Sequence, residues 1–343
     1  MILAVSIGCP CGVGPEVAVL SAAGQTRARV VLVGDLRVVQ RAAETRGVDA
    51  SRLVTVADAV EATRLPRTAI AVLQPTRTLS AKDSRPGKPT AAAGAAQLAW
   101  IDVACDLARS GVAAAMVTGP VSKAIIVSSR APGSAGFAGH TEHLQARLGA
   151  REVVMAFWTP AFTTSLATTH LPLARVPRAV TRGAVARSAY WLASLLTRLA
   201  RGGRVPRLAV AALNPHAGEG GLLGHEEVRT IAPGMELARA RLARDGIRAE
   251  LVGPVPAETA FRLASSGKSA PFDGVVAMYH DQATIPMKLV GFGESVNVSL
   301  GLPIVRTSVD HGTGYDIAGK GIADPRGMRE AFALAVRLGR GRR

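Results

Sequence analysis

Short apolar runs alternate with longer stretches of helical spacing along this chain, and nearly every run closes on a turn rich in Gly, Pro or polar residues. Residues 2–7 lead into a Gly/Pro turn at 8–15 and a helical segment from about Glu16. Residues 30–33 end at Gly34-Asp35, and 69–73 open a polar loop that runs through Pro89. Residues 90–110 are Ala-rich with helical spacing, and 113–117 end at Thr118-Gly119-Pro120. Strands separated by helices need crossover connections. The pattern therefore predicts an α/β protein whose largely parallel sheet carries helices on both faces. Aromatic residues make up only 4% of a chain that is 48% hydrophobic, mostly Ala, Val and Leu, which disfavours an aromatic-rich β-sandwich.

A length of 343 residues suits two ordinary domains or one large one. The Gly/Ser/Pro-rich segment 128–139 reads as a loop and a crossing between domains. Two long helical segments follow, at 182–201 and 226–245, and a final strand pair at 296–300 and 304–307. Alternation places Val296, Val298 and Leu300 on one strand face and Asn297 and Ser299 on the other, which leaves Asn297 available to a ligand. No internal repeat is visible.

The formal charge is +16, from 41 Lys and Arg against 25 Asp and Glu. Nearly all of the positive charge is Arg, spread thinly along the chain, with no run of basic residues interleaved with aromatics. It reads as compositional bias and not as a nucleic-acid surface. Arg337, Arg340, Arg342 and Arg343 read as a short solvated tail. The three cysteines, Cys9, Cys11 and Cys105, are too few for a disulfide framework and fit a reducing compartment. Cys9-Pro10-Cys11 supplies two thiols, an incomplete metal site, and reads as small buried or loop cysteines. The opening residues lack the basic region of a signal peptide, and no apolar run approaches membrane-spanning length. The expectation is a cytoplasmic protein with no membrane partner.

Three histidines sit just past apolar β-type runs: His170 after 162–169, His216 after 208–213 and His280 after 274–278. In open α/β sheets ligands bind outside the carboxyl ends of strands. Three imidazoles at that edge can form a His₃ metal site with an open position for substrate. The plainer alternative is three unrelated polar residues closing three strands. The flanking Asn214-Pro215-His216-Ala217-Gly218-Glu219-Gly220 and Met278-Tyr279-His280-Asp281-Gln282 are polar turns of the kind that carry binding residues.

Four further segments bear on chemistry. The Gly-rich turn Gly8-Cys9-Pro10-Cys11-Gly12-Val13-Gly14-Pro15-Glu16 can present backbone N–H groups to an anion, though it matches neither G-x-G-x-x-G nor the P-loop. Thr118-Gly119-Pro120-Val121-Ser122-Lys123 offers two hydroxyls and an ammonium at a strand end. In Gly139-His140-Thr141-Glu142, His140 and Thr141 can donate to a phosphate, and Thr141 can equally cap the helix that follows. Arg306 stands inside the apolar run Ile304-Val305-Arg306, where an unpaired charge is costly, so a bound anion or a carboxylate partner is expected there. Lys288 adds a second cation.

The run Asp310-His311-Gly312-Thr313-Gly314-Tyr315-Asp316-Ile317-Ala318-Gly319-Lys320-Gly321 resembles the adenosine-binding loop of isopropylmalate and isocitrate dehydrogenases. Those enzymes bind NAD or NADP without a Rossmann fingerprint. Together with 8–16, 118–123, 139–142, Thr169-His170-Leu171-Pro172-Leu173, 213–219, 277–282, Gly291-Phe292-Gly293 and 296–321, this loop makes nearly the whole chain resemble the 4-hydroxythreonine-4-phosphate dehydrogenase family of pyridoxine biosynthesis.

The resemblance implies an isocitrate/isopropylmalate-dehydrogenase-like α/β/α fold of two domains with the active site in the cleft between them. It divides the chain into 1–127 with 285–343, the nucleotide side, and 128–284, the metal and dimer side. It implies a homodimer whose site draws on both subunits, with a divalent metal (Zn, Mg or Co) on His170, His216 and His280. It implies substrate contacts from His140, Thr141, Lys288, Asn297 and Arg306, and cofactor contacts from Gly312 and Thr313. The reaction implied is NAD- or NADP-dependent oxidation of 4-phosphohydroxy-L-threonine to a β-keto acid, which loses CO₂ to give 3-amino-2-oxopropyl phosphate. The runner-up substrate is a phosphorylated sugar acid, threonate or erythronate 4-phosphate. Asp281 is the candidate proton acceptor; the alternative is that it orients a neighbouring imidazole. One departure is plain: the family usually has Asp where this chain has Cys9, and Ala where it has Cys11.

Overall fold

The computed structural model describes residues 1–200, 202–267 and 269–340. Its strands are β1 (Ile2–Ser6), β2 (Arg29–Val33), β3 (Leu53–Val56), β4 (Ile70–Leu73), β5 (Ala115–Thr118), β6 (Val154–Trp158), β7 (Thr163–Leu166), β8 (Arg207–Ala211), β9 (Glu250–Val255), β10 (Gly274–Ala277), β11 (Val296–Leu300) and β12 (Arg306–Val309). The chain forms two compact units, Met1–Glu152 with Leu302–Arg343, and Val153–Gly301. The breaks thus fall at 152/153 and 301/302, and not at the expected 127/128 and 284/285. The 128–139 loop stays with the first unit, because the helix after it, His140–Leu148, is tied to helix Ala91–Arg109 by ion pairs from His143 and Arg147 to Asp102 and Asp106.

In the first unit the strand order is β3-β4-β2-β1-β5-β12, and every pairing is parallel. β1 is buried along its whole length, as a strand covered on both faces must be. Helix Ala91–Arg109 packs on β1 and β5, and helix Arg326–Arg340 on β5 and β12. Thr90 caps the former through its hydroxyl, which accepts from the Ala93 N–H. Arg337 and Arg340 lie in the last turn of Arg326–Arg340 and not in a tail, because Leu334, Ala335 and Leu338 bury the other side of that helix. Arg342 and Arg343 lie outside the described residues.

In the second unit the order is β11-β6-β7-β10-β8-β9. β7, β10, β8 and β9 run parallel, while β6 pairs antiparallel with both β7 and β11. The exception to the parallel expectation has a local cause. Only four residues join β6 to β7, and Thr159 closes that turn by bonding Phe162 through both backbone and hydroxyl. A connection that short returns the chain antiparallel. The expected final strand pair is also divided: β11 belongs to this unit and β12 to the first. Alternate residues of β8 and β10 enter opposite cores. Leu208, Val210 and Val276 join helices Arg182–Leu199 and Ala232–Arg244 on one face, and Ala209, Ala211, Val275 and Ala277 join Ala257–Ala264 and His280–Val290 on the other. This is the two-sided burial read from the sequence. No helix among the described residues is long and apolar enough to cross a membrane.

Candidate active site

β7, β10 and β8 are neighbours in that order and parallel, so all three end on one edge of the second unit. His170 follows β7, His280 opens the helix after β10, and His216 lies in the turn after β8. The edge is tied together by Gln282, which accepts from the Met278 N–H at 2.7 Å and donates to the Ala212 carbonyl at 2.8 Å, linking the ends of β10 and β8. Thr168 does the same for β7, donating to the Met278 carbonyl at 2.7 Å.

The rings of His170 and His280 lie 5.4 Å apart between centroids. His280 Nδ1 is 2.8 Å from Asp281 Oδ1, with the Thr284 hydroxyl at 3.5 Å. A carboxylate on Nδ1 favours the tautomer that carries its proton there, which leaves the Nε2 lone pair for a metal. Among the described residues no group of three His, Cys, Asp or Glu is placed to hold a metal ion. One chain therefore brings His170 and His280 together and presents His216 from the same edge without closing the set. The donor chemistry suits a divalent ion, given a further ligand.

His216 sits in an unusual turn. Residues 216 to 220 all have positive φ, from 43° to 75°, and three of them are not glycine. The turn is anchored by the buried Glu227, whose Oε1 accepts from the Leu213 and Asn214 N–H groups, both at 2.8 Å, and whose Oε2 accepts from Asn214 Nδ2 at 2.9 Å.

Lys288 is exposed in the last turn of His280–Val290. Asn297 is half-buried on β11, while Ser299 on the same strand face is buried, so that face is more open at Asn297 than at Ser299.

The first unit holds a second constellation. Arg306 opens β12 and does not stand inside it; it is 3% exposed and donates from Nη2 to Thr118 Oγ1 at 2.7 Å. Burial draws its pKa down to about 10, with the Glu142 carboxylate acting in the opposite sense, so it stays charged at neutral pH. His140 Nε2 is shielded from solvent and has no hydrogen-bond partner among the described residues. Burial holds the His140 imidazole well below its ordinary pKa, and the charges of Arg306, His143 and Lys123 add to the effect. Thr141 is buried in the first turn of His140–Leu148, whose N-cap is Gly139, so the capping role is not its own. A Cβ on Gly139 would stand 3.0 Å from Glu142 Oε2 and 3.5 Å from Lys123 Nζ. The sequence reading named Arg306, His140 and Thr141. It noted Lys123 and Thr118 only as parts of a motif and gave no role to Gln282 or Glu227. Their separation in sequence left no signal.

Three amides of the 8–16 turn are taken up within the chain. Cys9 N donates to Pro120 O, Gly12 N to Cys9 O and Val13 N to Thr313 O, at 2.8 to 3.0 Å. The turn packs on the 310–321 loop. Glu16 is buried and accepts from the Gly319 and Gly321 N–H groups at 2.6 and 3.1 Å. A Cβ on Gly312 would meet nothing within 4 Å, so that position opens on free space.

The family model of the pyridoxal phosphate biosynthetic protein PdxA matches residues 26–335. A 4-hydroxythreonine-4-phosphate dehydrogenase of Desulfosudis oleivorans is 39% identical over 98% of this chain and 95% of its own length. One from Caulobacter vibrioides is 40% identical, over 98% and 97%. The crystal structure of the Klebsiella pneumoniae 4-hydroxythreonine-4-phosphate dehydrogenase superposes with a TM-score of 0.81 at 33% identity, covering 99% of both chains. A terephthalate 1,2-cis-dihydrodiol dehydrogenase from Burkholderia xenovorans superposes with a TM-score of 0.66 at 31% identity, covering 98% of both.

The shielded imidazole gives a testable consequence for pH. A His whose pKa is lowered on folding binds a proton more weakly than the unfolded chain does. Stability is then complete above the unfolded value of about 6.5 and declines as pH falls below it toward the folded value. Denaturant midpoints measured from pH 8 to pH 5 should fall less steeply for His140→Gln than for the parent protein. Parallel curves would show that His140 titrates normally in the fold.

Proposed function

The chain belongs to the PdxA family of pyridoxal phosphate biosynthetic proteins, and from that premise we propose that it is a metal- and nicotinamide-dependent dehydrogenase of 4-phosphohydroxy-L-threonine. The observation that carries the reading is the delivery of His170, His216 and His280 to one sheet edge by three adjacent parallel strands. A divalent metal held there supplies Lewis-acid polarisation of the substrate oxygens. Imidazole donors suit zinc or cobalt better than magnesium, which prefers oxygen.

The residues of the chain have distinct tasks. Arg306, His140 and Thr141 of the first unit bind the substrate phosphate. Arg306 offers a charged planar fork, and His140 Nε2 offers a shielded polar atom that needs a partner. Lys288 and Asn297 supply further substrate contacts. Asp281 fixes the tautomer of His280 through Oδ1, and its Oδ2 takes the proton of the substrate hydroxyl. NAD or NADP, when bound, would supply the hydride acceptor for oxidation of the secondary alcohol. The β-keto acid so formed loses CO₂ to give 3-amino-2-oxopropyl phosphate. Gly312 and Thr313 border the dinucleotide, on a loop whose backbone Glu16 and Val13 hold in place.

The third metal ligand points to a homodimer. Large apolar side chains are exposed in the segments that follow the three histidines: Leu171 and Leu173 after His170, Leu222 and Leu223 after His216, and Leu289 and Phe292 at the far end of the helix His280 opens. Leu289 is 81% exposed and Phe292 76%. Exposed apolar groups concentrated around one function suit burial against a second copy, which would complete the ligand set.

Three measurements check this reading. In a turnover screen with both dinucleotides, 4-phosphohydroxy-L-threonine should give a higher kcat/KM than threonate or erythronate 4-phosphate. The opposite order would assign the chain to sugar-acid oxidation.

Single His→Ala variants at 170, 216 and 280 should each lose bound metal by elemental analysis. Leu289→Asp should elute as a monomer with its metal lost as well. A monomer with full metal content would show that one chain suffices.

Arg306→Lys keeps the charge and loses the fork. Charge-assisted hydrogen bonds are worth about 1.5–3 kcal/mol, so KM for the phosphorylated substrate should rise roughly 10- to 100-fold. An unchanged KM would remove Arg306 from phosphate binding.

A further inference from the structure

The proposed chemistry leaves Cys9 and Cys11 unused. Gly12 N donates to Cys9 O at 3.0 Å and closes a turn with Pro10 and Cys11 at its centre. The two thiols therefore stand one residue apart on the same turn. Both are fully buried, in a small cluster with Ala93 and the partly buried Tyr315. The turn and the shared cluster place the two side chains side by side. Cys9 Sγ is also 3.4 Å from the Tyr315 hydroxyl, and Cys11 Sγ bonds the Asp83 carbonyl at 3.3 Å.

The surroundings of the two sulfurs differ. The Cys9 thiol, beside Cys11 and the Tyr315 hydroxyl and next to the backbone of its own turn, is drawn down to about 7 against the opposing effect of burial. The same contact pushes the Cys11 thiol up. Cys105, buried in helix Ala91–Arg109, is pushed up to about 11. Cys9 is thus the more readily ionised sulfur and Cys11 the one that keeps its proton, the pairing of an attacking and a resolving sulfur.

We infer that Cys9 and Cys11 form a reversible thiol pair that peroxide closes to a disulfide, and that closure loosens the loop carrying Thr313 and Tyr315. The Cys9 thiolate attacks one peroxide oxygen, the O–O bond breaks, and a sulfenic acid and hydroxide result. The Cys11 sulfur then attacks the Cys9 sulfur and releases water after proton transfer. Overall two thiols and one hydrogen peroxide give one disulfide and two waters: sulfur is oxidised by two electrons and peroxide oxygen is reduced. A dithiol reductant reverses the step. Full burial selects for an oxidant hardly larger than water over a bulky disulfide.

The structure shows why closure reaches the loop. A disulfide holds its sulfurs about 2.05 Å apart and carries no S–H. Asp83 O then loses the Cys11 donor, and Cys9 Sγ is pulled on where it meets the Tyr315 hydroxyl. The same turn receives Thr313 through the Val13 N–H at 2.8 Å, and Gly12 packs so tightly that an added Cβ would stand 2.5 Å from Thr313 O. A consequence for dinucleotide affinity rests on the proposed function; the disulfide and the loop response do not.

The test uses the reduced, full-length protein exposed to hydrogen peroxide. Mass analysis of the peptide spanning residues 9 and 11 should show the loss of two hydrogens, with Cys105 still open to alkylation after unfolding and the change reversed by dithiothreitol. Amide exchange over 310–321 should speed up in the oxidised form. In Cys11→Ser, Cys9 should stop at the sulfenic acid and be trapped by dimedone. An unchanged count of free thiols would overturn the inference, as would a disulfide that leaves exchange over 310–321 unaltered. A disulfide with faster exchange but unchanged NAD and NADP affinity would uphold it and instead sink the assignment of Gly312 and Thr313 to the cofactor.

Discussion

Parallel strands end on the same side, and that geometric constraint is what the candidate chemistry depends on. Segments 170, 216 and 280 are far apart in sequence, yet β7, β10 and β8 deliver them to one edge because each strand points the same way as its neighbour. The first unit obeys the same rule. The turn after β1 lies against the one after β5, with Cys9 N bonded to Pro120 O, and against the loop after β12, with Val13 N bonded to Thr313 O. The crossover helices keep both sheet faces apolar, so polar chemistry collects at the strand ends.

Electrostatics sharpen the role of the first unit. A buried guanidinium such as Arg306 costs free energy to desolvate, and the Thr118 hydroxyl and the Glu142 carboxylate act against that cost. The neighbouring imidazole is kept neutral by burial and by the same cation. Under the proposed function, the pair would present one positive charge and one shielded polar atom to the substrate phosphate.

Much of this was legible in the sequence. Apolar runs of four or five residues marked most strand positions, and helical spacing marked the helices at 91–109 and 182–199. The runs at 162–169, 208–213 and 274–278 located the three histidines correctly at strand ends. What escaped was long-range. β6 was missed because its direction depends on a short turn to β7 that only pairing reveals. That the Cys9 and Val13 amides of the 8–16 turn are taken by Pro120 and Thr313 could not be read, because those acceptors lie far away in the chain. Glu16 and Glu227 look like ordinary surface acids in sequence; only the fold shows each carboxylate buried against backbone N–H groups.

The turn that carries His216 shows how such a carboxylate is put to use. A non-glycine residue at positive φ is strained, by about 1–3 kcal/mol where the conformation is sparsely populated, and His216, Ala217 and Glu219 all adopt it. Isolated, the segment would relax toward ordinary backbone angles. Glu227 opposes this by binding both ends of the approach to the turn: the N–H groups of Leu213 and Asn214, and the Asn214 side chain, which also reaches Glu226. Gly218 completes the lock. Its own φ is 75°, and a Cβ there would stand 2.6 Å from Glu227 Oε2. The strained turn is therefore specified by a buried acid on the following helical segment and a glycine that allows its approach. His216 is held in a fixed position beyond the strand end, where a relaxed loop would leave it mobile.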